Sequence, residues 1–363
     1  MSEKLKTASG LVILVIVLSS CTDTSENPEP AGTRPEWVSA VDISGFPEIE
    51  QEGPVFYDRQ GQEASFLEIL RNNGVNTIRL RLWIGPQQGH CGFAEVSAFA
   101  HRLRNMGFAI WLSLHYSSTW ADPAHQIPPA RWQGTGFEDL QDSVKAYTQK
   151  VVREIRPSLI QIGNEINPGF LHPTGNRHSH PQQFLALLNA AVQGVRDQGL
   201  GTEIIIHYAG LAGSRAFFND LQGLDYDIIG LSYYPIWHGK NLAQLSGVVQ
   251  SLGERYDKAV IIAETAYPFT LGWNDYTNNI VVLEEQLILP QFPATPKGQQ
   301  DFIAQIKAVM ADSTAHGLGF CYWGAARIAW KGPQATDASA WENQALFGFD
   351  NQALPVLQEF LEK

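Results

Sequence analysis

Two glutamates stand where a carboxyl group could take part in a reaction. Glu165 closes the apolar run LIQIGNE and Glu264 closes the run VIIAE, and almost nothing else in either run is charged. Burying an ionised carboxylate without partners is costly, so such a glutamate is either paired for structure or placed for chemistry. Two carboxyl groups are the minimum for glycoside hydrolysis, in which one protonates the leaving oxygen and the other attacks the anomeric carbon or activates water. Two unrelated buried ion pairs are the alternative.

The run TIRLRLW alternates arginine with apolar residues. A period of two places Arg79 and Arg81 on one face, so both guanidinium groups point into the protein if the apolar face packs against helices. They need anionic partners there, and the candidates are Asp42, Glu165 and Glu264. An arginine beside Glu264 would depress its pKa and keep it ionised, whereas a glutamate without such a partner could keep its proton. Structural salt bridges are the competing interpretation of both arginines.

Two histidines, His115 and His207, also end apolar runs and could bind the hydroxyl groups of a ligand. A single histidine of this kind is more often a satisfied structural group, but two on one face favour a polar ligand. Histidine and carboxylate side chains are not spaced closely enough in the sequence to indicate a metal site, so metal chemistry is not expected.

The composition narrows the class of ligand. The net charge is −12, which argues against nucleic acid or another polyanion as a partner. Aromatic residues make up 11% of the chain and include ten tryptophans. This excess is typical of a surface that stacks on the flat faces of sugar rings, with a large aromatic core as the alternative.

Short apolar runs alternate with longer amphipathic stretches, which predicts βα units. Strands are predicted over Trp37–Ile43, Asn76–Trp83, Ala109–His115, Ser158–Gly163, Thr202–His207, Asp227–Ser232, Ala259–Glu264 and Gly319–Trp323. Helices are predicted over Ala64–Asn73, Glu95–Asn105, Asp139–Arg156, Pro181–Gln198, Leu242–Tyr256, Gly298–His316 and Leu354–Leu361, with a shorter one at Arg215–Leu221. Eight such units form either a closed (β/α)8 barrel or an open sheet. A Gly-rich phosphate loop does not follow the first strand, which favours the barrel.

The barrel predicts where the site lies, because active-site residues of such folds lie at the C-terminal ends of the strands. Polar and aromatic residues gather at all eight ends, which read Asp42, RLRLW, LHYSSTW, IGNE, HYAG, LSYYPIW, AETAYP and YWG. Strands four and seven face each other across a barrel mouth, so Glu165 and Glu264 can converge. Left-handed glycines are expected to end four helices, at Gly74, Gly107, Gly199 and Gly317.

The N-terminal segment is interpreted as an export signal. Lys4 and Lys6 precede the apolar core Leu11 to Leu18, which is too short to span a bilayer. The ending LSSC resembles a bacterial lipobox, in which Cys21 is acylated and becomes the new N-terminus; an ordinary signal peptide cut near Ser20 is the alternative.

The rest of the chain divides into a tether and one domain. Residues 22–36 are polar and Pro-rich, as in a flexible tether, and residues 37–363 form the predicted (β/α)8 catalytic domain. We expect an outer-membrane lipoprotein that faces the periplasm or the cell surface, touches the membrane only through the anchor and is a monomer. Cys91 and Cys321 are either free or joined by a single bridge.

Five motifs resemble the endo-β-1,4-galactanases of glycoside hydrolase family 53. They are HYSSTWADPAHQ (115–126), IGNEINPG (162–169) followed by LHPTG, GLSYYPIW (230–237), ETAYP (264–268) and WENQALFGF (341–349). The match runs in order from about residue 37 to the C-terminus, and the combination of TWADP, GNEI and a later ET is far more specific than any one of them.

The resemblance implies a retaining (β/α)8 glycosidase. Glu165 would be the acid/base, Asn164 would contact the substrate 2-hydroxyl, Glu264 would be the nucleophile and Arg79 would steady it. The implied substrate-binding residues are Asp42, Arg79, His115, Trp120, Asn164, His207, Tyr233 and Trp323. Some bacterial relatives bind calcium in the loop after strand seven, where Asp275 and Asn278 supply too few oxygen ligands to predict an ion.

Two departures from the family pattern lie away from the glutamates. Ser118 stands where members usually carry the aspartate of HYSDTW, and Gly324-Ala325 replaces the last two residues of YWEP. Both lie in the region of the substrate subsites, so they bear on product length and substrate identity.

The resulting hypothesis is a cofactor-independent, retaining enzyme that cuts internal β-1,4-galactosidic linkages of arabinogalactan or pectic galactan. Its carboxyl groups should lie about 5 to 5.5 Å apart. The alternatives are a related enzyme acting on mannan, xylan or glucan, and a surface glycan-binding lipoprotein without turnover.

Overall fold

The computed structural model describes residues 32–312 and 316–361. The predicted signal, Cys21 and most of the predicted tether therefore lie outside the described residues. Within the two described ranges, no helix is long and apolar enough to cross a membrane.

Eight parallel strands close into a barrel in which each strand pairs with its neighbours in chain order. The strands are β1 (Val38–Asp42), β2 (Thr77–Leu82), β3 (Ala109–Leu114), β4 (Leu159–Ile162), β5 (Glu203–Ala209), β6 (Ile228–Ser232), β7 (Ala259–Thr265) and β8 (Gly317–Trp323). The predicted (β/α)8 barrel and all eight predicted strands are confirmed. Every strand boundary lies within two residues of the predicted one.

Helices surround the barrel. They are α1 (Phe46–Gln51), α2 (Phe66–Asn72), α3 (Phe93–Asn105), α4 (Phe137–Ile155), α5 (Pro181–Arg196), α6 (Ser214–Asp220), α7 (Pro235–His238), α8 (Leu242–Tyr256) and α9 (Pro296–Asp312). The helices α1 and α7 were not predicted, because each has only one or two turns and no apolar period. The predicted last helix forms as a 3₁₀ segment, Pro355–Phe360.

The hydrophobic core has two layers. One lies between the strands and the helices, and it takes Ile78, Leu80 and Leu82 from β2. The other fills the barrel interior with residues from seven of the strands: Val38, Ala40, Trp111, Leu159, Ile205, Ile228, Ile261, Ala263, Leu318 and Cys321. Arg79 is buried, and its guanidinium carbon lies 5.5 Å from the ring centroid of Trp111 in the interior layer. The alternation predicted for β2 is therefore confirmed.

Three of the four predicted helix-ending glycines have left-handed backbones, with φ of 89° at Gly74, 92° at Gly107 and 62° at Gly199. The prediction for Gly317 was wrong. Gly317 begins β8, and a Cβ there would overlap the carbonyl oxygen of Met310, so close approach rather than a left-handed turn requires glycine. Cys91 and Cys321 are both buried and free, so no bridge joins them.

Candidate active site

A cavity of about 370 Å³ opens at the C-terminal ends of the strands, where the sequence predicts the site. It is lined by Asp42, Arg79, Arg81, His115, Trp120, Ala121, Asp122, Pro123, Asn164, Glu165, Ala209, Tyr234, Trp237, His238, Glu264, Trp323 and Trp341. Aromatic walls with a few convergent polar groups are typical of a small-molecule or substrate site. Both predicted glutamates lie in it.

The backbone after β4 turns sharply and carries Glu165 into the cavity. Gly163 has a φ of 74° and Glu165 a φ of 49°, both in the left-handed region. A Cβ at Gly163 would overlap the side chain of Ile166, so this turn requires glycine. The amide of Glu165 donates to Nδ1 of His207 at 3.3 Å. A non-glycine residue in the left-handed region is strained, and such strain clusters at functional sites.

The environment of Glu165 keeps its carboxyl group protonated. Its Oε1 accepts a hydrogen bond from the hydroxyl of Ser232 at 2.5 Å. No arginine, lysine or histidine of the described chain forms an ion pair with it. Burial and the neighbouring charge of Glu264 raise the pKa of Glu165 to about 8. A carboxylic acid with such a pKa can donate a proton at neutral pH.

Glu264, in β7, has the partners of an anion. Its Oε1 lies 2.8 Å from Nη2 of Arg79, and its Oε2 accepts from the hydroxyl of Tyr234 at 3.0 Å. Burial nevertheless raises the pKa of Glu264, and the guanidinium of Arg79 opposes that rise. The depressed pKa expected for Glu264 was therefore wrong, because dehydration outweighs the ion pair. Of the two glutamates, Glu264 alone touches a guanidinium, so it holds the charge and Glu165 holds the proton.

The two carboxyl groups converge as predicted. Ser232, which donates to Glu165, is the direct partner of Glu264 in the β6–β7 ladder. The charge of Glu264 also acts on Glu165 strongly enough to raise its pKa. A protonated acid and a carboxylate facing one cavity can cleave a glycosidic bond. The separation of about 5 to 5.5 Å stays a prediction.

Arg79 is fixed by five side chains, one of which is Ser113, whose Oγ accepts from Nη2 at 3.3 Å. Besides the contact with Glu264, its Nη1 lies 2.8 Å from Oδ2 of Asp42, and its Nη2 donates to Oδ1 of Asn164 at 2.8 Å. Its Nε and Nη2 both donate to Oε1 of Gln161, at 3.2 and 3.1 Å. This geometry agrees with a steadying role for Arg79 and places Asp42 and Asn164 at the cavity wall. Gln161 was missed because its polar side chain points into the barrel from the middle of an apolar run.

The predicted histidines have different positions. His115 lines the cavity, and its Nδ1 accepts from the amide of Ala121 at 3.1 Å. His207 does not line the cavity, which corrects its expected contact with substrate. It lies beneath the site, with Nε2 2.9 Å from the hydroxyl of Ser232. Burial and nearby arginine charge lower the pKa of both histidines well below the usual range, so both are neutral. His207 therefore positions Ser232 and the turn at Glu165.

The expectation that Tyr233 lines the cleft was also wrong. Tyr233 is fully buried, and its hydroxyl donates to the carbonyl of Gly239 at 2.8 Å. The neighbouring Tyr234 lines the cavity instead and donates to Glu264. Helix α7 begins at Pro235 directly after this pair, and that turn decides which tyrosine faces the cavity.

Indole rings form a continuous row along the cavity. Trp120 and Trp323 were predicted, and their ring centroids lie 6.2 Å apart. The row continues with Trp341, whose ring centroid lies 4.4 Å from that of Trp323, and with Trp237, whose ring centroid lies 6.0 Å from that of Trp341. Trp237 and Trp341 were missed as site residues, although both stand in the motifs that carry the resemblance. A row of exposed and half-buried indoles can stack on successive sugar rings.

The two residues considered for calcium, Asp275 and Asn278, differ in burial. Asn278 is exposed, whereas Asp275 is buried and accepts from the amide of Thr277 at 2.6 Å. Oδ2 of Asp275, Oδ1 of Asn279 and Oε2 of Glu342 lack a hydrogen-bond partner in the described ranges. These three are oxygen donors of the kind that calcium takes, but calcium takes about six to eight. Among the described residues, no group of three or more His, Cys, Asp or Glu side chains could hold a metal ion.

We expect Tyr234→Phe to lower kcat/KM for glycoside cleavage by about 10- to 100-fold. The change removes a hydrogen bond to a charged carboxylate, which contributes about 1.5 to 3 kcal/mol, and about 1.4 kcal/mol corresponds to a tenfold change in rate. Steady-state kinetics measure the effect. The adjacent Tyr233→Phe is the matched control, and it should lower the melting temperature with kcat/KM within about twofold of wild type. A larger loss of kcat/KM in Tyr233→Phe than in Tyr234→Phe would contradict the assignment of Tyr234 as the partner of Glu264.

The chain is similar along its length to proteins of one family. The family described as Glycosyl hydrolase family 53 matches residues 38–360. A protein named arabinogalactan endo-β-1,4-galactanase, from Cellvibrio japonicus, is 31% identical and covers 99% of this chain and 97% of its own length. The solved GH53 catalytic domain from Ignisphaera aggregans has a TM-score of 0.84 and 35% identity, covering 92% of this chain and 98% of that chain. A structure of fungal β-1,4-galactanases has a TM-score of 0.76 and 28% identity, covering 88% and 98%.

Proposed function

Because this chain belongs to glycosyl hydrolase family 53, we propose that it is a retaining arabinogalactan endo-β-1,4-galactanase that needs no cofactor. The observation that carries the proposal is the unequal glutamate pair, in which Glu264 is held by Arg79 and Glu165 has a pKa raised to about 8. The relatives named as galactanases supply the substrate class.

Each residue then has a role in a double displacement. Glu165 protonates the glycosidic oxygen while Glu264 attacks the anomeric carbon, which forms a galactosyl ester on Glu264 and releases the leaving chain. Glu165, now ionised, removes a proton from water, and that water cleaves the ester with a second inversion. Arg79 and Tyr234 hold the attacking carboxylate in one orientation. The indole row suits an internal stretch of chain, which supports endo-acting cleavage.

Release of reducing sugar from a panel of polysaccharides tests the substrate. We expect cleavage of β-1,4-galactan and little or none of mannan, xylan and β-glucan. Products should be oligosaccharides from the start, since an endo-acting enzyme cuts internal linkages. Activity on another β-1,4-glycan with silence on galactan would reject the proposal, and binding of galactan without cleavage would identify a glycan-binding protein.

We also propose that the enzyme is an exported lipoprotein of the outer membrane, acylated on Cys21, and a monomer. The LSSC ending of the apolar segment supports the anchor. Expressed in a Gram-negative host, the full chain should partition into the detergent phase of Triton X-114, and Cys21→Ser should move it to the aqueous phase with kcat/KM on galactan maintained. Equal partitioning of the two proteins would reject the anchor.

A further inference from the structure

Arg81 faces the cavity without an anionic partner. Only 5% of the residue is exposed, its Nε is buried with no hydrogen-bond partner, and its Nη2 donates to the Sγ of Cys91 at 3.0 Å. Burial raises the pKa of Cys91, so that thiol is neutral. The guanidinium carbon lies 4.5 Å from the ring centroid of Trp83 and 3.8 Å from that of Trp120. These rings hold Arg81 in place, but they do not supply a negative charge.

A second guanidinium, that of Arg327, lies near Arg81 but does not line the cavity. It is 5.6 Å from the ring centroid of Trp323, and a Cβ on Gly45 would contact it at 3.3 Å. Burial, and then the charge of Arg81, lower the pKa of Arg327 to about 10. Within the described ranges, the side chain of Arg327 has no ion pair or hydrogen bond.

Among the described residues, no carboxylate forms an ion pair with Arg81 or Arg327, although the charges of Asp42 and Glu48 act on Arg327. Asp42 and Glu264 both pair with Arg79, and Glu165 keeps its proton. Asp122 is the other carboxylate of the lining, but it accepts from the amides of Ala124 and His125 in its own turn. Ser118 donates its hydroxyl to the carbonyl of Ile84 and carries no charge.

We propose that Arg81, aided by the neighbouring charge of Arg327, forms a subsite for the carboxylate of a hexuronate residue carried by the galactan substrate. A buried guanidinium without an anion is unfavourable, and a planar carboxylate matches its parallel N–H groups. The ring of the same sugar can stack on Trp120 or Trp323. The net charge of −12 opposes a polyanion, so the subsite suits one acidic sugar in a neutral chain. This inference rests on the proposed function.

The test compares a neutral β-1,4-galacto-oligosaccharide with the same oligosaccharide oxidised at one C6 to the uronate, across positional isomers. At low ionic strength the wild type should cleave the best uronate isomer with about tenfold higher kcat/KM, since a hydrogen bond to a charged group contributes about that factor. The preference should shrink in 0.5 M NaCl. Arg327→Gln should bring the ratio close to one, and Arg327→Lys should restore part of it.

Arg153→Gln is the matched control, because Arg153 is exposed on α4 and pairs only with Glu154 among the described residues. It should keep the wild-type ratio. A wild-type ratio near one for every isomer, or an unchanged ratio in Arg327→Gln, would overturn the subsite while galactanase activity stands.

A binding readout separates failure of the subsite from failure of the proposed function. Tryptophan fluorescence of Glu264→Gln, titrated with both oligosaccharides, reports binding without turnover. Tighter binding of a uronate isomer that is lost on adding Arg327→Gln supports the subsite, even if galactan is not cleaved. Equal binding of all the oligosaccharides rejects it.

Discussion

Replacing Glu264 by alanine is expected to lower kcat on galactan on the order of 10⁵-fold, as loss of a nucleophile does in other covalent enzymes. The carboxylate is held by Arg79 at 2.8 Å and by the hydroxyl of Tyr234 at 3.0 Å, so its attack geometry is set before substrate binds. Without it, the galactosyl ester cannot form. Substrate binding should persist, because the indole row and Asn164 remain.

Sodium azide, added as an external nucleophile to the Glu264→Ala enzyme, tests the role of Glu264 directly. The space left by the side chain of Glu264 can admit the small anion, which attacks the anomeric carbon from the same face while Glu165 still protonates the leaving oxygen. The product should be an α-galactosyl azide, since a single displacement inverts the β configuration. Product NMR identifies the anomer, and fluorescence titration confirms that the variant binds galacto-oligosaccharide.

Glu254→Ala is the matched control, because Glu254 is an exposed glutamate on α8. It should leave kcat within about twofold of wild type, as surface substitutions usually do. A Glu264→Ala enzyme with kcat within tenfold of wild type, or one that yields β-galactosyl azide, would show that another group is the nucleophile.

The fold and the glutamate pair could be predicted because both depend on periodicity. Alternation in β2 placed Arg79 inside the barrel, and strand ends placed Glu165 and Glu264 at one mouth. These features need only a strand direction and the rule that sites lie at C-terminal strand ends. These two predictions do not depend on the conformation of the loops.

The site residues that were predicted wrongly or not at all lie where the backbone leaves a strand. One residue decides between Tyr233 and Tyr234, and the turn into α7 at Pro235 sets that choice without a periodic signal. Trp341 reaches the row of indoles from a loop after β8, where no period fixes its direction. The pKa of Glu264 was misjudged for a related reason, because the extent of burial depends on everything packed around it.

Replacing Glu165 by alanine should lower kcat/KM on galactan by about 10²- to 10⁴-fold, the usual contribution of a general acid. The sugar leaving group is poor and needs the proton. In this variant, the rate of the first step should fall far less for an aryl β-galactobioside with an acidic phenol, because that leaving group departs without protonation. A large loss on galactan with a small one on the aryl substrate identifies an acid catalyst.

The pH profile supplies the second half of this prediction. Burial and the charge of Glu264 raise the pKa of Glu165 to about 8, and the acid is active only while protonated. Wild-type kcat/KM should therefore hold through neutral pH and fall as the pH rises through about 8. Glu165→Ala should lack that alkaline decline, since the titrating proton is gone, and azide should now yield the β-galactosyl product. An unchanged alkaline limb in the variant would assign the proton to another group and remove Glu165 from the acid role.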